Sequence, residues 1–381
     1  MIIEIRKAGL INKGAELMLL SVLQKMKTVY PEATFLVDLD PRHIVKCFPK
    51  IRAMGLKYKP WFWYLGVQWG DFASLIPKKI RSKLGIVLDR EVDIVLDSAG
   101  FAYSEQWRNR MTAELAYSSS RWRMTNKKII LLPQALGPYF SQEVKENVRT
   151  FVEKADLIFP REKISYKYLI SVVGQQDKIK QYPDFTNLVK GVPYDGLDME
   201  NLNVCLIPNY RMIDKTSKNV SEAYLPFMIK CVRYLVARGA KPFILVHEGD
   251  NDIVLARNIS DEVGGLPVIM ESDPLKIKGI LGKCDAIISS RYHGLVSGLS
   301  QGVPSFATGW SHKYSELLED YGFREGILSV DENEEELYAK LDIIINIESN
   351  ADLSSRLTEK SEKLKALSER MWENVFKEIN G

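Results

Sequence analysis

The sequence predicts an α/β protein of two domains, each built on a mostly parallel sheet, and three observations carry that expectation. The chain has 381 residues, more than one hydrophobic core usually organises. Short apolar runs ending in Gly, Pro, Asp or Ser alternate with longer segments of helical period, the pattern of a parallel sheet covered by helices. Composition is that of an ordinary globular protein, with 46% hydrophobic, 27% charged and 10% aromatic residues, and carries no disordered or fibrous bias.

In the first half, strands are expected at 2–7, 33–38 (ATFLVD), 92–97 (VDIVLD), 128–132 (KIILL) and 156–159, with helices at 13–29, 110–126, 142–154 and 161–172. A second series has strands at 202–207 (LNVCLI), 242–246 (PFILV), 267–270, 285–289 (DAIIS) and 303–306, and helices at 219–238, 251–263, 274–282, 293–301 and 313–321. Between Tyr182 and Asn201 the period is broken by Pro183, Gly191, Pro193 and Gly196. The boundary is placed there, giving Rossmann-like domains at 1–190 and 191–350. Residues 332–346 and 352–379 read as amphipathic helices rich in Glu and Lys, and the tail 351–381 is expected to cross back to the N-terminal domain. Two such domains in series make the cleft between them the expected site, because strand carboxyl ends and helix amino ends face it.

The excess of 52 Lys and Arg over 49 Asp and Glu is too slight to imply a nucleic-acid partner, and no nucleic-acid-binding motif is present. Cys47, Cys205, Cys231 and Cys284 are scattered without a C-x-x-C pair, so neither a zinc site nor a disulfide framework is expected. The opening MIIEIRKAG reads as a strand rather than a secretion signal. No run reaches the roughly 18 apolar residues of a membrane span. A cytoplasmic protein is expected.

The strongest motif is DAIISSRYHGLVSGLSQGVPSFA, residues 285–307. A strand ends near Ser289 and Ser290, and Arg291, Tyr292, His293 and Gly294 fall at the first turn of a helix. Unpaired N–H groups and the helix dipole favour an anion there, and an arginine fork strengthens that preference. Gly294, Ser297 and Gly298 keep one helix face small enough for close packing on the sheet. His293 reads as a catalytic imidazole, against the alternative of a helix-capping or core histidine.

Further turns follow strands. Asn12, Lys13 and Gly14 enter the first helix, either as a ligand-binding turn or as plain turn chemistry, without G-x-G-x-x-G spacing. Asp97, Ser98 and Gly100 form a small polar turn, and Pro133, Gln134, Gly137 and Pro138 make a stiff loop. In FPREKIS, Arg161 and Glu162 open a helix, Arg161 being a second candidate anion ligand or a salt-bridge partner. His247 and Glu248 follow the strand 242–246, with Asp250 and Asp252 read as helix-capping acids. No second histidine stands four residues on, so no metal is expected. His312 and Lys313 lie on the loop after 303–306, where Lys313 can hold a phosphate or stand solvated.

Residues 50–90 set Trp61, Trp63, Tyr64 and Trp69 among Lys50, Arg52, Lys57, Lys59, Lys78, Lys79, Arg81 and Lys83. Two readings stay open: contact with an anionic membrane surface or lipid-linked acceptor, which would make the protein peripheral at the inner face of the membrane, or a helical insertion with buried aromatics.

Taken in order, N-K-G-A-E, D-S-A-G-F, P-Q-A-L-G-P, R-E-x-x-S, S-R-Y-H-G, G-V-P and H-K-Y over residues 9–325 resemble the polysaccharide pyruvyl transferase family. The family often has a glycine pair after the third strand, where this chain has Ser98-Ala99-Gly100. The resemblance implies a GT-B-like pair of Rossmann-like domains and no required metal or cofactor. It implies transfer of pyruvate from phosphoenolpyruvate to a sugar of a cell-surface polysaccharide or its lipid-linked precursor, giving a ketal and phosphate. Arg291 and His293 would be catalytic; Ser290, Arg291, Tyr292, Gly294, Lys313 and Arg161 would bind the donor. Asn12, Lys13, Asp97, Ser98, Gln134 and Glu162 would line the acceptor side, with His247 and His312 as further candidates. The alternatives are a GT-B glycosyltransferase using a nucleotide sugar and a non-catalytic partner in polysaccharide synthesis.

Overall fold

A computed structural model describes residues 1–107, 109–194, 196, 202–309 and 311–381. Within the expected linker Tyr182–Asn201, Asp195 and residues 197–201 therefore lie outside the described residues. The chain divides into two compact units: unit 1 is Met1–Phe185 with Leu367–Gly381, and unit 2 is Thr186–Ala366. Among the described residues no helix is long and apolar enough to cross a membrane.

Unit 1 runs β1 (Ile2–Arg6), α1 (Lys13–Val29), β2 (Thr34–Leu39), α2 (Ile44–Ala53), β3 (Lys57–Pro60), the short hairpin β4 (Trp63–Tyr64) and β5 (Val67–Gln68), and α3 (Lys78–Leu84). It continues with β6 (Ile94–Asp97), α4 (Arg110–Met124), β7 (Lys128–Gln134), α5 (Gln142–Lys154), β8 (Leu157–Pro160) and α6 (Lys163–Val173). Its six-stranded sheet has the order β3-β2-β1-β6-β7-β8, with every neighbouring pair parallel. The sequence reading missed β3. Its residues KYKP alternate lysine with tyrosine and proline, and nothing in that pattern announces a strand until Lys59 is seen to be buried.

β1 carries an unusual pattern for a central strand, since Ile3 and Ile5 alternate with Glu4 and Arg6 and all four are fully buried. Period-two alternation sends the charged pair to one sheet face, the face that α4 covers. There Lys59 meets Glu4 at 2.6 Å and Asp89 at 2.8 Å, and the Trp122 indole N–H donates to Asp89 at 3.0 Å. A buried ionic layer takes the place of part of the apolar core, each charge paired as burial demands. Burial pushes the Glu4 carboxyl up to about 7, against the pull of Lys59.

Unit 2 comprises β9 (Val204–Ile207), α7 (Arg211–Asp214), α8 (Lys218–Ala237), β10 (Pro242–Val246), α9 (Gly249–Glu262), β11 (Val268–Met270) and α10 (Pro274–Leu281). It goes on with β12 (Ala286–Ser289), α11 (Tyr292–Leu299), β13 (Ser305–Ala307), α12 (Lys313–Asp320) and α13 (Glu334–Ile345). Its sheet order is β11-β10-β9-β12-β13, again all parallel. Leu206, Ile244 and Ile288 enter the core on one face, and Cys205, Phe243 and Ile287 enter that on the other. Burial on both faces explains why these strands are unbroken apolar runs. All four cysteines are free and buried. A last helix, α14 (Ile347–Asn380), places Leu353, Leu357 and Leu364 in the core of unit 2, while Trp372 stacks on Phe376 and meets Phe185 within unit 1.

Candidate functional site

In each unit the strand order reverses beside the first strand, between β1 and β6 and between β9 and β12. Loops diverge at such a point and ligands bind outside the strand carboxyl ends there. Several of the candidate residues lie at these two places, and each unit is described by itself.

In unit 2 the turn after β12 is Ser290-Arg291, and α11 starts at Tyr292. Ser290 was expected to touch a donor. It is fully buried, its hydroxyl meets Tyr224 at 2.5 Å and Thr308, and its carbonyl accepts from Asn209 at 2.8 Å and Tyr314 at 2.9 Å. Ser290 therefore anchors the turn instead of lining it. Asn209, just beyond β9, ties the two diverging loops together. Gly294 lets α11 lie on the sheet, since a Cβ there would stand 2.8 Å from both Ile207 and Ser289.

Arg291 is not the open fork that the sequence suggested. Its Nη1 and Nη2 grip Glu248 and Asp252 in close ion pairs, leaving its side chain 12% exposed. A guanidinium has five N–H donors, of which the Nε–H is buried without a partner. The partner acid Asp252 was read as a helix cap. Instead its carboxylate accepts from the Tyr210 backbone N–H at 2.9 Å and pairs with Arg291, because α9 points its first turn at the loop after β9. Burial raises the Asp252 carboxyl above the usual range, with Arg291 opposing.

His293, partly exposed, sets its ring edge-on to Tyr292 with centroids 5.4 Å apart. The Lys313 ammonium lies 5.4 Å from the centroids of both Tyr292 and Tyr314. Arg291, Tyr292, His293, Gly294 and Lys313 are thus brought together around one helix start. His247 is buried at the end of β10, and its neighbour Glu248 is committed to Arg291. His312 sits at the N-cap position of α12 and lines, with Ser311 and Tyr314, an open cavity of about 410 Å³. Among the described residues there is no group of three or more His, Cys, Asp or Glu placed to hold a metal ion.

In unit 1 the reversal point is filled by ionic contacts. Arg6 meets Asp97 at 2.5 Å, the Tyr103 hydroxyl at 2.6 Å and, more closely, Glu114. Glu114 also accepts from the Trp61 indole at 2.7 Å. Asp97 and Ser98 were expected to face an acceptor, yet both are fully buried, and the Ser98 hydroxyl donates to the Arg6 carbonyl at 3.0 Å. Arg161 and Glu162 are corrected in the same sense. Arg161 is 2% exposed and Glu162 1%; Arg161 pairs with Glu162 at 2.9 Å and Asp184 at 3.0 Å. Ser165 donates to Glu162 at 2.5 Å and accepts from the Leu136 N–H at 2.9 Å. The R-E-x-x-S string is a buried brace that joins the loop after β7 to the start of α6. Gln134 is buried with its Oε1 unpartnered, and Asn12 caps α1 by accepting from the Ala15 N–H at 3.1 Å. Lys13 lies 3.7 Å from Glu16, its side chain 15% exposed, and burial lowers its pKa.

Arg6, Tyr103, Glu114, Asn209 and Tyr224 escaped the sequence reading. A usable signal existed for Arg6 alone: charged residues at alternate positions of IIEIR, in a strand expected to be interior.

The whole chain is similar in fold to solved nucleotide-sugar enzymes. The Staphylococcus aureus MnaA–UDP co-structure superposes with a TM-score of 0.63 at 14% identity, covering 100% of this chain and 96% of that one. UDP-GlcNAc 2-epimerase from Neisseria meningitidis bound to UDP-GlcNAc gives 0.62 at 12% identity, covering 99% of each. Anabaena Alr3699/HepE in complex with UDP and glucose gives 0.58 at 13%, covering 99% of this chain and 100% of that one. These likenesses establish the fold, a pair of Rossmann-like units of the GT-B type. No curated protein sequence matches the chain. The polysaccharide pyruvyl transferase profile matches residues 12–312, from the cap of α1 to the cap of α12, and so takes in both reversal points; the chain belongs to the polysaccharide pyruvyl transferase family.

Proposed function

We propose that this protein transfers pyruvate from phosphoenolpyruvate to two hydroxyls of a sugar in a cell-surface polysaccharide or its lipid-linked precursor, at the cytoplasmic side of the membrane. The observation that carries the reading is the gathering of Arg291, His293 and Lys313 at one helix start in a member of this family. Phosphoenolpyruvate presents a carboxylate and a phosphate, and cationic side chains beside a helix N-terminus suit both. His293 as the imidazolium delivers its proton to the methylene carbon. One sugar hydroxyl adds to the resulting cationic carbon, phosphate leaves with Arg291 and Lys313 countering its charge, and the second hydroxyl closes the ketal. Of the two hydroxyl protons, one replaces that spent on the new methyl group and the other leaves with phosphate. Asp97 and Glu162, buried and engaged, are poorly placed as bases, which favours the neutral His293 for the return step.

Phosphate release from phosphoenolpyruvate against a panel of saccharide acceptors, with product mass, tests the reading. His293→Ala should lower turnover by about a hundredfold or more while donor binding persists; unchanged turnover would remove the assignment. Because solved relatives in fold hold UDP, a nucleotide-sugar glycosyltransferase is the rival. Thermal stabilisation by UDP-sugars but not by phosphoenolpyruvate would favour it.

A further inference from the structure

Unit 1 carries an apolar, basic surface that the proposed chemistry does not use. Of 21 exposed large hydrophobic residues among the described ones, eight fall between Tyr64 and Leu84: Tyr64, Leu65, Val67, Trp69, Phe72, Leu75, Ile80 and Leu84. Those nearest the hairpin touch one another. The Trp69 indole donates to the Tyr64 carbonyl at 3.2 Å, and Trp69 and Phe72 have ring centroids 5.8 Å apart. Tyr64 stacks on Phe62 at 6.0 Å, and the Arg42 guanidinium lies 5.0 Å over Phe62.

Charge in this region is one-sided. Residues 41–84 hold ten Lys and Arg and a single acid, Asp71; with 52 bases and 49 acids overall, taking the segment out leaves 42 against 48. The basic excess of the protein therefore resides in this segment alone. Lys46, Arg52, Lys57, Lys78, Lys79 and Lys83 are exposed, as is Arg42, which pairs with Asp40, and Asp71 is engaged by Arg121.

The hairpin apex is the most telling detail. Leu65 and Gly66 form the two-residue turn between β4 and β5 with φ of 51° and 76°. Two positive φ values are what a type I′ turn needs, and Asn-Gly is the usual solution. A leucine there is strained, and it is 80% exposed, so neither backbone preference nor packing in this chain accounts for it. A hydrophobic tip, aromatic flanks and a surrounding basic field together match the interfacial zone of a bilayer that carries anionic headgroups.

We infer that the hairpin Trp63–Gln68 and the following turn to Leu84 dock unit 1 onto an anionic lipid bilayer, with Leu65, Trp69 and Phe72 entering the headgroup boundary. The full-length protein should co-sediment with vesicles of roughly one-third phosphatidylglycerol in phosphatidylcholine, and not with phosphatidylcholine alone. Leu65→Asn/Phe72→Ser should weaken that binding by about tenfold or more. Asparagine tolerates the positive φ, so the thermal midpoint should hold or rise. Lys78→Glu/Lys79→Glu should remove binding at low salt. Failure to sediment with anionic vesicles, binding indifferent to lipid charge, or an unaltered affinity in the Leu65→Asn/Phe72→Ser variant would overturn the proposal. So would a concentration-dependent dimer that the same variant abolishes, because the patch would then be a face between copies of this chain. None of these readouts depends on phosphoenolpyruvate.

Discussion

Replacing Arg6 by Met would test whether the ionic layer under α4 holds unit 1 together. Methionine keeps most of the aliphatic stem and removes the guanidinium. Two carboxylates then lose their shared cation: Asp97, fully buried, and Glu114, 2% exposed. Removing one partner of a buried pair costs about 3–5 kcal/mol. The cost should not double. Asp97 keeps the Tyr103 hydroxyl at 2.7 Å and the Ala99 N–H at 3.2 Å, and Glu114 keeps the Trp61 indole at 2.7 Å and Lys7 at 3.2 Å. A loss of about 4 kcal/mol at pH 7 is expected.

Urea unfolding followed by tryptophan fluorescence reads this out, since six of the seven tryptophans belong to unit 1. The loss should also depend on pH. Burial alone would raise the Glu114 carboxyl, but Arg6 and then Lys7 outweigh it and hold it well below the usual carboxylate range. A depressed carboxyl contributes stability above its unfolded pKa, near 4.5, and surrenders it as pH falls toward the folded value. The gap between wild type and Arg6→Met should therefore be widest at neutral pH and narrow below about pH 4.5. Adding Glu114→Gln to the variant should recover part of the loss. A loss under about 1 kcal/mol at pH 7, or a gap of the same size at pH 4, would refute the reasoning.

Glu4→Gln tests the neighbouring carboxyl with the opposite sign. Because burial lifts Glu4 to about 7 from 4.5, the wild type should lose about 3 kcal/mol relative to the variant as pH rises from 4.5 through 7, checked by urea titrations across that range. Gly298→Ala places a methyl group against Ser305 and Ile287 and should cost about 1–3 kcal/mol through overpacking, seen as a lower thermal midpoint. Arg291→Ala should destabilise by about 2 kcal/mol, because Asp252, 1% exposed, keeps the Tyr210 N–H but no cation. The same variant should weaken phosphoenolpyruvate binding in calorimetry.

How much of this was legible depended on the range of the signal. Both sheets could be read because strands such as VCLI and PFILV are buried on two faces and must be apolar throughout, while β3, with lysines at alternate positions, gave no such sign. The turn at Arg291 was legible because it combines a strand end, a helix start and small residues within ten positions. What occupies Arg291 was not, since Glu248 and Asp252 are 43 and 39 residues away. Arg6 and Glu114 stand 108 residues apart. Charged residues near strand ends look alike in sequence whether they face solvent or each other, and so the burial and pairing of Asp97, Arg161 and Glu162 were not legible.

The course of α14 bears on how the chain is made. Unit 1 spans the first 185 residues but borrows its closing segment from Leu367 onward. Met371, Trp372 and Val375, all but fully buried, supply that segment, and Glu378 pins it to Lys128 at 2.8 Å. During synthesis the segment Met1–Phe185 therefore keeps an apolar flank around Phe185 uncovered until Leu367–Gly381 has been made. A chain cut before Leu367 should accordingly leave unit 1 with that apolar flank bare and prone to aggregation.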